Sequence, residues 1–467
     1  MDNVKQISIV RIAAIAAIGG FLFGYDTGVI GGTQLFFTEH FALSPGMQGW
    51  VVSSAVYACG FGALMAGYLT KAIGRKNTML LSAVLFSVSA WGSGIAVSYQ
   101  ELVVYRIIGG LGIGLASMAA PMYIAEVSPP QHRGRMVSLY QLAIVLGFFM
   151  VFLATYFIGG GDSAVLSEAQ ISEVYQYNLN QGWRVMFWSE LPVAVLFFVL
   201  LFLVPASPRW LMLKGRDDEA LKVLKSLSGS TEQAEAEAAQ IKLSLQEKRM
   251  PLKALLIGGL GLATFIGVML SIFQQTSGIN AILYYGAEIF SNALGYGPQD
   301  ALKQQLWLGA VNLGFTFVAI YTVDFWGRRP LYLMGTAGMF VSLCVLGYTI
   351  YVQSLGVVSL VAILAFVGSF ALSMGPIVWV VLSEMFPNRA RSAAMAVAVA
   401  AQWFMNAIVS NSYPVLNRSE LNQDSFNGAL PYFIFAGFCA IAFIFALRFL
   451  PETKGKSLEE LETLWDR

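Results

Sequence analysis

Glu126-Val-Ser-Pro129-Pro-Gln-His-Arg133 is echoed by Glu384-Met-Phe-Pro387-Asn-Arg-Ala-Arg391, and the matched Glu, Pro and Arg are displaced equally, from 126 to 384, 129 to 387 and 133 to 391. The chain therefore reads as a tandem duplication. Gly74-Arg75-Lys76 recurs as Gly327-Arg328-Arg329, and Pro205-Ala206-Ser207-Pro208-Arg209 as Pro451-Glu452-Thr453-Lys454-Gly455, at nearly the same offset. Each charged cluster closes an apolar run, so all belong on one membrane face and each half crosses an even number of times. Parallel repeats of this kind occur in membrane transporters.

Composition supports the membrane reading. Hydrophobic residues make up 57% of the 467 and charged residues only 12%, against about 25% charged in soluble domains. A span needs about 20 apolar residues. Such runs lie near 9–35, 47–69, 77–98, 102–124, 137–158 and 185–205, then near 254–276, 304–323, 330–352, 357–382, 392–413 and 430–449. The expected fold is an all-α membrane protein of twelve transmembrane helices. Its halves are an N-terminal six-helix bundle over 1–205 and a C-terminal one over 254–450, joined by a cytoplasmic helical linker at 206–253 and followed by a cytoplasmic tail at 451–467.

Charge sets the orientation. Arg184, Lys303 and Arg418 are alone in the odd-numbered connections and Arg106 lies inside a span, which leaves 24 (28 minus 4) of the basic residues on the other face. The positive-inside tendency then places both termini in the cytoplasm. A signal peptide is excluded because the first apolar stretch is too long and no small-residue cleavage site follows it. In the linker, the spacing of Leu221, Leu224 and Leu227 behind Asp217, Asp218 and Glu219 predicts a short amphipathic helix closed by Gly229. Ser230 with Gln233 can cap a second helix running to about Lys248.

Several other chemistries find no support. Cys59, Cys344 and Cys439 all lie in apolar runs and suggest no disulfide framework. His40 and His132 stand far apart at span ends, so no metal site is expected. Gly109-Gly110-Leu-Gly112-Ile-Gly114 lies in an apolar span with no strand before it, which suits close helix packing better than a nucleotide loop. No cofactor, nucleic-acid partner or catalytic constellation is expected, and the chain is read as a non-enzyme.

Arg106-x-x-Gly109-Gly110, Tyr123-Ile-Ala-Glu126, Arg133-Gly-Arg135, Pro-Ala-Ser-Pro-Arg, Gln274-Gln275-x-x-Gly278-Ile-Asn280 and Pro-Glu-Thr-Lys-Gly, in this order along nearly the whole chain, closely resemble the sugar porter family of the major facilitator superfamily. Within that family the chain resembles bacterial xylose–proton symporters. The resemblance implies the major facilitator fold, with two six-helix bundles rocking around a central site, and a monosaccharide, pentose or hexose, as substrate. It also implies a bacterial inner-membrane location in a lipid bilayer and a functional monomer.

A sugar's hydroxyls must exchange water for equivalent partners, because an unpaired buried polar group costs about 1–3 kcal/mol. Side-chain amides offer both donors and acceptors. Gln274, Gln275 and Asn280 end the seventh span around Gly278, while Gln141, Asn312 and Gln402 place amides in the fifth, eighth and eleventh. Trp379 and Trp403 fall inside spans, away from the interfaces where Trp concentrates. By the resemblance, Gln141, Gln274, Gln275, Asn280, Asn312, Trp379 and Gln402 are expected sugar contacts, with Phe23, Tyr284, Phe370 and Trp403 as walls.

Asp26 and Arg106 are the expected proton-coupling pair. At about 1.5 Å per residue, Asp26 lies ~25 Å along the first span, and Arg106 lies about one turn inside the fourth from the opposite side, so their depths agree. An intramembrane charge is a functional candidate by default. Arg75, Glu126, Arg133, Arg209, Arg328, Arg329, Glu384 and Arg391 are expected at a cytoplasmic gate. Three departures stand out: Lys71-Ala-Ile-Gly lacks the acidic residue that the second half keeps as Asp324, Ala206 replaces a carboxylate, and Phe148 stands where a Gln is usual for the branch. The favoured function is proton-coupled monosaccharide import by alternating access. A facilitative uniporter and a non-transporting sugar sensor are the alternatives.

Overall fold

The computed structural model describes residues 8–129, 133–228, 230–246, 255–386 and 388–454. His132, Gly229, Lys248, Pro387 and the tail from Gly455 lie outside them, as do the side chains of Arg133 and Asp324. Among the described residues 12 helices are long and apolar enough to cross a membrane. The first five are α1 (Ile9–His40), α2 (Pro45–Ala72), α3 (Arg75–Ile95), α4 (Tyr99–Val127) and α5 (Arg133–Ile158). The sixth crossing is interrupted, running through α6 (Glu168–Tyr177), α7 (Trp183–Trp188) and α8 (Leu191–Leu200). Three linker helices follow, α9 (Pro208–Leu213), α10 (Asp217–Ser228) and α11 (Thr231–Gln246). The second set comprises α12 (Gly258–Thr276) with α13 (Ile279–Tyr284) and α14 (Gly286–Glu288), α15 (Pro298–Trp326), α16 (Arg328–Tyr351), α17 (Val357–Leu372) with α18 (Met374–Glu384), α19 (Asn388–Asn417) and α20 (Leu430–Phe449).

The duplication is visible in the backbone. Gly74, ahead of α3, has φ 88° and ψ 164°, and Gly327, ahead of α16, has φ 88° and ψ 166°. Only glycine adopts that conformation without strain. The same turn therefore joins the second crossing to the third and the eighth to the ninth.

Breaks fall where sequence forbids a continuous helix. Pro192 has no N–H and opens α8, which leaves Ser189 and Glu190 in a turn inside the sixth crossing. Gly278 is left-handed at φ 86°, and a Cβ there would stand 2.3 Å from the Phe435 ring, so α12 stops and α13 restarts at this residue. Pro376 lies in the first turn of α18, just beyond the break at Ser373 between α17 and α18. Each interruption places backbone or polar side chains where an unbroken helix would present an apolar surface.

The linker forms three helices, one more than the two that the leucine spacing and the Ser230 cap predict. Leu211 and Met212 of α9 pack with Ala220, Leu224 and Ala234, and Lys242 reaches Asp217 at 2.6 Å. Six residues opened by Pro208 carry too little periodicity for α9 to be read from sequence.

Contacts gather the chain into two compact units. The first contains Met1–Thr27, Tyr57–Phe148 and Phe187–Lys248, and the second contains Gly28–Val56, Phe149–Met186 and Arg249–Arg467. The second unit thus includes the ends of α1, α2 and α5 nearest the odd-numbered connections, packed against helices of the second half.

Candidate functional site

In the second unit, four amides form one hydrogen-bonded cluster. Gln274, near the end of α12, donates to the carbonyl of Met374 at 2.8 Å, at the α17–α18 break. Its own side-chain oxygen accepts from Gln275 at 3.1 Å and from Gln402 on α19 at 2.6 Å. Asn280 on α13 donates to Gln275 Oε1 at 2.6 Å. The breaks at Gly278 and Ser373 are what bring these groups within reach of one another.

Several of the aromatics expected as walls lie on the elements that carry or meet the cluster. Trp403 follows Gln402 and is buried, Trp379 on α18 is half-buried, and Phe370 lies against Gly375 of the same break. Tyr284 ends α13, and its hydroxyl accepts from Asn406 at 3.3 Å. Asn406 also accepts from Ser410 at 3.0 Å. Sequence reading missed Asn406, although its place one turn beyond Gln402 on α19 marks the same helix face. Asn312 is buried in α15. Gln141 on α5 and Phe23 on α1, both half-buried, belong to the other unit.

The first unit buries three ionisable groups together. Asp26 and Arg106 form an ion pair, each only 1% exposed, and a second guanidinium nitrogen reaches the Asp26 carbonyl at 3.2 Å. The guanidinium lies 5.9 Å from the Phe187 ring centroid. Glu190, in the turn ahead of α8, is fully buried and interacts electrostatically with both Asp26 and Arg106. Neither of its oxygens has a hydrogen-bond partner among the described residues. Beside it, Tyr25 and Ser189 share a hydrogen bond of 2.8 Å. Two carboxylates therefore face one guanidinium in an apolar setting, where an unmatched charge is expensive. Sequence reading overlooked Glu190, yet a carboxylate five residues into an apolar run was the available signal.

The repeated charged clusters are built alike. Arg75 donates to Glu126 at 2.7 Å, and Ser207 donates to the other Glu126 oxygen. In the second repeat Arg328 grips Glu384 through two nitrogens at 2.8 and 3.2 Å, while Thr453 donates to Glu384 at 2.6 Å. Lys76 reaches the Val204 carbonyl at 2.7 Å, and its counterpart Arg329 reaches Leu447 at 2.6 Å. Arg391 turns back onto the Phe386 carbonyl at 3.2 Å, and Arg209 is half-buried in α9. The Arg75–Glu126 and Arg328–Glu384 pairs each lie inside one unit.

One difference between the repeats lies at Glu452. Glu452 accepts from the backbone N–H groups of Arg328 and Arg329, both at 3.1 Å, and so caps α16. Burial pushes the Glu452 carboxyl up, but backbone N–H groups, of Lys454 as well as Arg328, Arg329 and Thr453, outweigh it and hold the group below the usual carboxylate range. Ala206 occupies the matching place in the first repeat and offers α3 no such cap.

Comparison with known proteins agrees with this architecture. Residues 12–465 match the family model described as "Sugar (and other) transporter". The chain is 41% identical to the D-xylose-proton symporter of Escherichia coli K12, covering 98% of this chain and 96% of that protein. It is 38% identical to the arabinose-proton symporter of Bacillus subtilis, covering 98% and 95%. The solved E. coli xylose transporter in a partially occluded inward-open conformation superposes with TM-score 0.83 at 39% identity, covering 96% of this chain and 99% of that one. With its repeated charged clusters, interrupted crossings and full-length similarity, the chain belongs to the sugar transporter family.

Proposed function

We propose that the protein is a monosaccharide–proton symporter that imports sugar by alternating access. The observation that carries this reading is the buried trio of Asp26, Arg106 and Glu190, in which one guanidinium serves two carboxylates. A single proton taken from solvent balances the trio, and relaying that proton is a role such intramembrane groups commonly serve. The names of the xylose and arabinose symporters it resembles support the same conclusion.

The chemistry divides between the units. Gln274, Gln275, Asn280 and Gln402 are linked by amide–amide bonds, and the buried Gln402 side-chain oxygen has no hydrogen-bond partner among the described residues. A monosaccharide entering the cluster replaces these amide–amide bonds with amide–hydroxyl bonds, so binding leaves no buried polar group unpaired. Trp379 and Trp403 offer rings for its C–H faces. Asp26 is paired with Arg106 in this conformation, and proton transfer is coupled to transport through a conformational change that parts them.

The charge bias places both termini and the repeated clusters on the cytoplasmic side of a bacterial inner membrane, and the chain acts as a monomer. Uptake into proteoliposomes, measured for several pentoses and hexoses with and without an inward proton gradient, tests the function. Accumulation above the outside concentration is expected for at least one sugar. Equilibration without accumulation would replace symport by facilitated diffusion.

A further inference from the structure

On the face carrying the odd-numbered connections, helices of both halves pack closely inside the second unit. A Cβ on Gly49 of α2 would stand 2.4 Å from the Asn411 carbonyl of α19, and one on Gly31 of α1 would stand 1.9 Å from Gln305 Nε2 of α15. The backbone of the first half of the sequence thus meets the second half directly at these two points.

One buried carboxylate ties the two sides. Glu288, at the end of α14, is 3% exposed. One oxygen accepts from Arg418, just past α19, at 2.9 Å; the other accepts from Gln48 of α2 at 2.6 Å. The same Gln48 nitrogen lies 3.1 Å from Gln34 Oε1 of α1, and Gln34 donates to the Tyr284 carbonyl at 2.9 Å. The side-chain oxygen of Gln48 is buried without a hydrogen-bond partner among the described residues. Gln34, Gln48, Glu288 and Arg418 also line a cavity of about 340 Å³.

The division of partners is informative. The cation that neutralises Glu288 comes from its own half of the sequence, whereas the contact from the other half is a neutral amide. If α2 withdraws, Glu288 keeps Arg418, so opening strands no buried charge, the event that makes breaking an ion pair expensive. A cation on α2 would lock this face; an amide lets it release. Glu288 also follows Asn280 on the broken α13–α14 segment, so a sugar held by Asn280 is mechanically linked to the contact.

We infer that the Gln48–Glu288 hydrogen bond is the release latch of this face: it holds the face closed, and its rupture admits sugar. The inference rests on the transport reading above. It is tested with Val52→Cys, one turn beyond Gln48 on α2 and 2% exposed, in a chain whose half-buried Cys344 is replaced by Ser. Labelling by a membrane-impermeant maleimide reports opening. Gln48→Ala is expected to raise the labelling rate about tenfold, the factor for ~1.4 kcal/mol. Gln48→Glu, which sets a second carboxylate against Glu288, is expected to raise it further. Unchanged labelling in either folded variant overturns the latch, and so does loss of folding in both, which would make the contact purely structural. Sugar exchange by the Val52→Cys parent separates the two readings: a parent that exchanges no sugar contradicts transport, whereas one that exchanges sugar with unaltered labelling contradicts only the latch.

Discussion

Gly109 of α4 and Asp26 of α1 meet so closely that a Cβ on Gly109 would stand 2.7 Å from Asp26 Oδ2 and 2.4 Å from Ser89 Oγ. The glycine one turn beyond Arg106 is thus what lets the carboxylate lie against α4 and meet the guanidinium. Gly109→Ala should force Asp26 away from Arg106 and destabilise the protein by about 1–3 kcal/mol through overpacking. Thermal unfolding in detergent checks the destabilisation, and pH-driven sugar accumulation, expected to fall more than sugar exchange, checks the displacement of Asp26.

Asp26→Asn removes the carboxylate that pairs with Arg106. Sugar binding and exchange should persist, because the amide cluster lies on α12, α13 and α19, while accumulation against a gradient should disappear. Glu190→Gln should impair accumulation less, since it leaves Asp26 in sole possession of Arg106 and strengthens a pair that transport has to break. Parallel uptake and exchange assays on both variants decide the matter. Full accumulation by Asp26→Asn would assign the proton to another carrier.

Gln275→Ala and Asn280→Ala each delete a member of the amide cluster. Either should weaken sugar binding by about 1–3 kcal/mol, the usual effect of leaving a hydroxyl or a neighbouring amide unpartnered. Isothermal titration across a panel of sugars measures it. Unchanged affinity in both variants for every sugar the parent binds would remove the amides from the site.

Much of the architecture was legible because membrane insertion demands long apolar runs and because the duplication repeats its charged punctuation. Gly74 and Gly327 could be matched by eye, and the structure gives them the same backbone conformation. Gln274, Gln275, Asn280 and Gln402 were also legible, since amides in apolar spans call for partners. Glu190 was less legible because a lone carboxylate near the start of an apolar run does not show in sequence that it meets Asp26 and Arg106 of other helices. Asn406 and the Gln48–Glu288 contact depend on which helices touch, and periodicity along one chain segment does not encode that.

The difference between the repeats gives a last expectation. Glu452 caps α16 through the N–H groups of Arg328 and Arg329, and its carboxyl is held below the ordinary range. A depressed carboxyl contributes stability that is fully present above its unfolded pKa, about 4.3 for Glu. That contribution is lost as pH falls through the lower, folded value. Glu452→Gln should therefore lower the unfolding midpoint at neutral pH, by an amount on the order of 0.5–1 kcal/mol for a partly solvated cap, and the difference from the parent should shrink below about pH 4. Ala206→Glu places a carboxylate at the matching position before α3, where Arg75 and Lys76 occupy the places of Arg328 and Arg329. It should raise the midpoint by a few tenths of a kcal/mol at neutral pH and lose that gain in acid. Thermal scans of the three proteins from pH 3 to pH 7 would expose the cap as incidental if both variants tracked the parent throughout.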